Sequence, residues 1–180
     1  MYFHKNIRLP PSGYRGKQQY FVTLCCAARR RIFITSKACH WLTEILRSES
    51  TSRAFAIHAY CLMPDHLHFL AEGLLPSSDL MNFVLTFKLK TTRAYHQKQA
   101  QPLWQKKFFD HVVRPNEHIE PIAFYILMNP VRKGLSRAIG EYPFAGSFTQ
   151  MPAITASPPQ IWSPPWAAKA PASEGVGYKL

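Results

Sequence analysis

"FAIHAYCLMPDHLHFLAE", residues 55 to 72, is the stretch whose reading decides the fold. Two apolar runs of strand length are separated only by Pro64-Asp65, and those two residues carry turn chemistry. The first run, over 55–63, reads as a buried strand; the second, over 66–72, reads as its returning partner in a hairpin.

Working outward, "YFVTLCCA" (20–27) is rich in aromatic and β-branched residues and reads as another strand, followed by "RRR" (29–31) on a loop. From Ser36, the positions Trp41, Leu42, Ile45 and Leu46 fall on one helical face, with Thr35 or Ser36 as cap. Downstream, Leu80, Phe83, Val84 and Phe87 mark a second amphipathic helix that runs on through "KLKTTRAYHQKQ". "FFDHVVR" (108–114) reads as a fourth strand. "NEHIEPIAFYILMN" (116–129) reads as a third helix, expected to be capped by Asn116 and stopped by Pro130. Pro121 suits only a first turn, which moves the regular start of that helix to near Glu120. The order strand-helix-strand-strand-helix-strand-helix is α+β: the ferredoxin-like split βαβ antiparallel sheet with one added helix. This body is expected over residues 1–148. From 149 to 180 the chain is proline-rich without helical or strand period, and reads as a tail.

Twenty-two Lys and Arg face ten Asp and Glu, a net charge of +12 that suits a polyanionic partner. Hydrophobic residues make up 47% of the chain, which excludes global disorder. No run reaches the roughly 18 apolar residues of a membrane span, so no membrane partner is expected and nucleic acid is favoured. The N-terminal stretch has no apolar core of a signal peptide. Cys25, Cys26, Cys39 and Cys61 form no C-x-x-C pair and read as reduced core thiols, the usage expected of a cytoplasmic protein.

Within the hairpin, His66 and His68 project from one face of their strand while Leu67 takes the other. Two neutral imidazoles at that spacing are able to share a metal ion, yet two ligands seldom suffice, and a pair of histidines on a half-exposed strand face is the plainer reading. Carboxylates are scarce and scattered, which argues against a two-metal carboxylate nuclease. On the third helix Tyr125 and Asn129 stand four residues apart, on one face. A tyrosine there is ordinarily core, and an asparagine before proline is an ordinary helix end. The pair gains meaning only if that face meets the His66–His68 strand.

"YFVTLCCAARRRIF", "AYCLMPDHLHFL", "LWQKKFFDHVVR" and "IAFYILMNPVRKGL" together resemble, in order and approximate spacing, the REP-associated tyrosine transposases of the single-tyrosine HUH superfamily. The resemblance covers about residues 5 to 148. It implies that His66 and His68 are metal ligands around the hydrophobic Leu67, that Tyr125 is the catalytic nucleophile, and that Asn129 is a third ligand. It further implies a DNA transposase that cuts single-stranded DNA beside palindromic hairpins, leaving a 5′-phosphotyrosine and a free 3′-hydroxyl. That link conserves bond energy, so a second strand is joined without ATP. Mg²⁺ prefers oxygen ligands, so a His₂Asn set also admits Mn²⁺ as the cofactor.

In that scheme Arg29, Arg30 and Arg31, Lys88, Lys90 and Arg93, Lys106 and Lys107, and Arg132 and Lys133 are candidate DNA contacts, although each alone is an ordinary solvated charge. Trp104 is a candidate for base stacking or for the core. The expected partner is single-stranded or hairpin DNA, the expected assembly a monomer or homodimer, and the expected location the cytoplasm, on the nucleoid. Two other readings stand beside this one. One is a non-catalytic nucleic-acid-binding module; the other is a metal phosphoesterase that uses water, with Tyr125 in the core. The tail reads as linker, autoinhibitory strand or inert extension.

Overall fold

The computed structural model describes residues 9–96, 101–150 and 164–166. The elements are β1 (Gln19–Cys25), α1 (Ser36–Ser52), β2 (Phe55–Met63), β3 (His66–Gly73), α2 (Leu80–His96), β4 (Phe109–Val112), α3 (Ile119–Leu127), α4 (Asn129–Arg132) and β5 (Ala145–Gly146). The strands form one sheet in the order β4-β1-β3-β2-β5, with antiparallel pairing throughout. The first four strands with α1 and α2 are the expected split βαβ unit, and β5 adds a short edge beside β2. Residues 97–99 of the expected second helix, and the tail apart from residues 149–150 and 164–166, lie outside the described residues.

Strand alternation divides the core into two layers. Val22, Leu24, Leu67 and Phe69 face one side, where Leu42 and Leu46 of α1 and Phe83, Val84 and Phe87 of α2 cover them. Phe21, Leu70, Cys61 and Met63 face the other side, under Ile122, Tyr125 and Ile126 of α3. Each large apolar side chain buried this way contributes about 1.5–3 kcal/mol.

Strand β2 changes face partway along. Ile57 pairs with Ala71 but Ala59 pairs with Leu70, so His58 is an extra residue, a β-bulge. Before it Phe55 and Ile57 belong to the α1–α2 layer; beyond it Ala59, Cys61 and Met63 belong to the α3 layer. The bulged side chain is anchored, with its Nε2 2.6 Å from Glu72 and its Nδ1 3.3 Å from Thr149.

Thr35 caps α1 as expected, its hydroxyl accepting from the Ala38 amide at 3.3 Å, an arrangement worth about 1 kcal/mol. The third helix departs from expectation at both ends. Its N-cap is His118 rather than Asn116, because Arg114 to Glu117 form a turn closed by Glu117 N to Arg114 O at 2.8 Å. Pro130 does not stop the helical path either. It opens α4, in a first turn where its missing N–H costs nothing. Pro121 lies in the first turn of α3, where it was expected to be tolerated.

Candidate functional site

The two-residue turn Pro64-Asp65 brings β3 back beside β2 and places His66 and His68 on the face that α3 covers. Cys25 and Met63 flank His66 in the sheet, and Thr23 and Cys61 flank His68. Both imidazoles are fully buried, with ring centres 4.6 Å apart. Each has its Nδ1 engaged: Asp65 Oδ1 stands 2.6 Å from that of His66, and the Thr23 hydroxyl 2.8 Å from that of His68. Each Nε2 is buried without a hydrogen-bond partner.

That arrangement fits a metal ion. A ligating histidine commonly gives its second nitrogen to a carboxylate or hydroxyl, which fixes the tautomer and leaves the other lone pair for the ion. Burial lowers the pKa of His66, against the opposing pull of Asp65, and lowers that of His68 well below its ordinary value. Neutral imidazole, the ligating form, is therefore the resting form. Among the described residues, no third His, Cys, Asp or Glu joins the pair, so a further ligand drawn from them must be of another type. Asn129 supplies one chemically. Its Nδ2 donates to Tyr125 O at 3.1 Å and to Ile126 O at 3.3 Å. Because both partners are carbonyls, the amide must present its NH₂ to them, and the carbonyl oxygen Oδ1 is the atom left over.

Tyr125 lies on the same side of the sheet. Its ring centre is 6.4 Å from that of His68 and 6.1 Å from that of Phe21. Only 3% of Tyr125 is exposed, and burial raises its pKa. The Arg132 guanidinium, 4.1 Å over the ring, works in the opposite sense. Arg132 is held there by a 2.8 Å bond from Nη2 to Tyr125 O. Tyr125 thus meets the histidine strand, and Asn129 follows one turn along the chain, bonded to the Tyr125 carbonyl.

The basic candidates divide. Arg29, Arg132 and Lys133 lie around the imidazoles: Arg29 pairs with Asp65 at 3.0 Å, and Lys133 and Arg132 act electrostatically on His66 and His68 respectively. Arg30 bonds the Pro102 and Ala27 carbonyls, while Arg31, Lys106 and Lys107 are exposed. On α2, across the sheet from Tyr125, Lys88 bonds the Gln105 and Lys106 carbonyls, Lys90 pairs with the buried Glu49, and Arg93 is exposed. Trp104 is core, donating to Thr91 at 2.8 Å.

Three participants were not recognised from the sequence. Asp65 was read only as a turn residue, and nothing local marks Thr23 as the partner of His68, which it meets through strand register. Trp166 comes from the proline-rich tail, yet its ring packs 4.7 Å from that of Phe21.

Comparison with known proteins gives the class. The family model for IS200-like transposases matches residues 15–129. The chain belongs to the IS200-like transposase family, and its class is that of DNA transposases. The REP-associated tyrosine transposase of Escherichia coli (strain K12) is 25% identical over 126 residues, covering 70% of this chain and 74% of that protein. A relative from Haemophilus influenzae is 23% identical over 139 residues, covering 70% of this chain and 77% of its own. A solved structure of a REP-associated tyrosine transposase bound to a REP hairpin superposes with a TM-score of 0.65 at 24% identity, covering 78% of this chain and 81% of the other. Among the described residues no helix is long and apolar enough to cross a membrane.

Proposed function

We propose that this transposase cuts and rejoins single-stranded DNA beside a hairpin, with the Tyr125 hydroxyl as nucleophile and His66, His68 and Asn129 as ligands for Mn²⁺ or Mg²⁺. The observation that carries the reading is the meeting of a buried phenol with two imidazoles whose Nε2 atoms have no protein partner. The relatives' description as tyrosine transposases supports it, as does the hairpin bound to the structurally similar protein.

The chain's own residues divide the work. Asp65 and Thr23 fix the two imidazoles with their Nε2 lone pairs available. A bound divalent ion would neutralise charge on the scissile phosphate as a Lewis acid. Tyr125 Oη forms a new bond to phosphorus as the bond from phosphorus to the 3′ oxygen breaks, and the phenolic proton passes, in balance, to that departing oxygen. Attack of a different 3′-hydroxyl on the phosphotyrosine reverses these changes and frees Tyr125. Arg132 favours the phenolate by its charge, while Arg29 and Lys133 add positive potential for the phosphate. The substrate of this scheme is chromosomal DNA in the cytoplasm.

Incubation of the protein with Mn²⁺ and labelled hairpin DNA carrying a single-stranded flank tests the scheme. Label should survive denaturing electrophoresis as a protein adduct, and should be absent with Tyr125→Phe. Cleavage without any adduct would transfer the reaction to water.

A further inference from the structure

Trp166 fills a slot of particular chemistry. Its indole stacks on His111 with ring centres 4.3 Å apart and planes 19° from parallel, and lies 6.3 Å from Phe109 at 24°. Phe21, which adjoins both His68 and Tyr125, closes one side at 4.7 Å. At the indole edge, Nε1 donates to Glu117 Oε1 at 3.0 Å. Glu117 is held in turn by the Arg114 amide at 2.7 Å and by His111 Nε2 at 2.8 Å. Burial works to raise the Glu117 pKa, but these hydrogen bonds outweigh it and hold the carboxyl below its ordinary range. The carboxylate is therefore ionised at neutral pH and only accepts. A cavity of about 470 Å³ opens alongside, with exposed Arg114 on its rim.

A flat fused five- and six-membered ring with an N–H on its edge describes indole, and it describes a purine equally. Stacking walls tolerate any base, and a carboxylate accepts from an N–H on any of them. A fused ring as wide as the indole, however, carries its donor, guanine N1 and N2 or adenine N6, across the slot to Glu117, where a single-ring pyrimidine falls short. Through Phe21 the slot stands one aromatic ring away from Tyr125 and His68, and the neighbouring arginine suits a sugar–phosphate continuing past it.

We propose that Phe21, Phe109, His111 and Glu117 form a subsite for a purine of the single-stranded flank next to the scissile phosphate, and that Trp166 is its resident occupant, displaced when the base enters. The proposal rests on the strand-cutting reading for the identity of its ligand, and it adds a specificity determinant that acts through stacking and one carboxylate. The His66–His68 pair has no part in it.

Binding is to be measured with the full-length chain and no divalent ion, so that affinity is read apart from cleavage. Fluorescent hairpins carry either no flank or a flank in which each position in turn is purine, pyrimidine or abasic. Trp166→Ala is expected to bind the flanked hairpin at least about fivefold more tightly than wild type, and the flankless hairpin equally. At one flank position the change from purine to abasic should weaken binding to Trp166→Ala by about tenfold, the usual weight of one stacked base. The purine preference at that position should vanish in Trp166→Ala/Glu117→Ala. If Trp166→Ala fails to fold, Trp166→Phe, which keeps a ring but loses the N–H, should show the same gain in smaller measure. Unchanged affinity for the flanked hairpin, with no sensitive flank position, overturns the subsite. A failed adduct assay would leave this result untouched, and a failed subsite would leave the adduct assay untouched.

Discussion

Arg132 stands over Tyr125 with its guanidinium carbon 4.1 Å from the ring centre, and bonds the carbonyl of the same residue at 2.8 Å. One side chain therefore both steadies the helix turn that carries the phenol and lowers the cost of ionising it. Arg132→Ala should leave burial to raise the phenol unopposed. The rising limb of the cleavage rate against pH should move to higher pH. At neutral pH the rate should fall about 10- to 100-fold, within the range of general electrostatic effects in active sites. Single-turnover cleavage from pH 6 to 9.5 checks this; an unshifted profile would show that the arginine only packs.

Tyr125→Phe removes one oxygen and keeps the ring between Phe21 and His68. Stability should change by no more than about 1 kcal/mol. Cleavage, adduct formation and strand joining should disappear together, while hairpin affinity stays within a few-fold. Near-normal cleavage by this variant would place the nucleophile elsewhere.

Metal affinity should report the support of each imidazole. His66→Ala or His68→Ala should abolish Mn²⁺ binding in calorimetry. Asp65→Ala, which strips the carboxylate from His66 Nδ1, should weaken it about 10- to 100-fold. Asn129→Ala should weaken it too, yet retain some cleavage at high Mn²⁺. Wild-type affinity in the Asp65 variant would mean that the 2.6 Å contact does not orient the ligand.

Acid should destabilise the metal-free protein earlier than its carboxylates alone would dictate. His68 is buried and its pKa is lowered well below 6.5 by desolvation, with His66 and Arg132 acting in the same direction. Above pH 6.5 the residue is neutral in both folded and unfolded chains and contributes no pH dependence. Below it the unfolded chain takes up a proton that the folded chain refuses, so stability falls as pH falls, by up to about 1.4 kcal/mol per unit for this one group. Urea melts at pH 7.5, 6.5 and 5.5 with chelator present should show that slope, reduced in His68→Asn. Equal slopes in the two proteins would remove His68 as the cause.

The architecture was legible because its signals are local. Pro64-Asp65 announces its own turn, Thr35 its cap, and the apolar spacing of α1 and α2 their buried faces. Tyr125 and Asn129 could be assigned to one face by counting along a helix, but the tyrosine could be set against His68 only by folding. Pairings that depend on sheet register stayed hidden: Thr23 is 45 residues from His68, and its role exists only because β1 lies beside β3 in that alignment. The ends of α3 were misplaced for a related reason. The Glu117 carboxylate is taken by His111 and the Arg114 amide, which draws Asn116 into a turn and leaves the cap to His118. Trp166 lay furthest from reach, since nothing in a proline-rich run names the ring it will stack on.

The extra residue at His58 sets a condition on how this gene can vary. Loss of that single codon would close the bulge into a regular ladder, with Ile57 opposite Ala71, Ala59 opposite Leu70, and Cys61 and Met63 still beside the imidazoles. The two faces of the strand would keep their residues, and what would be lost is the local bend and the bond from His58 to Glu72. Substitutions that respect size are tolerable along this strand. In-frame single-residue insertions between Ala59 and Met63 are not, because they shift the residues beside the imidazoles. A survey of viable indel variants should find such insertions absent while loss of residue 58 is tolerated.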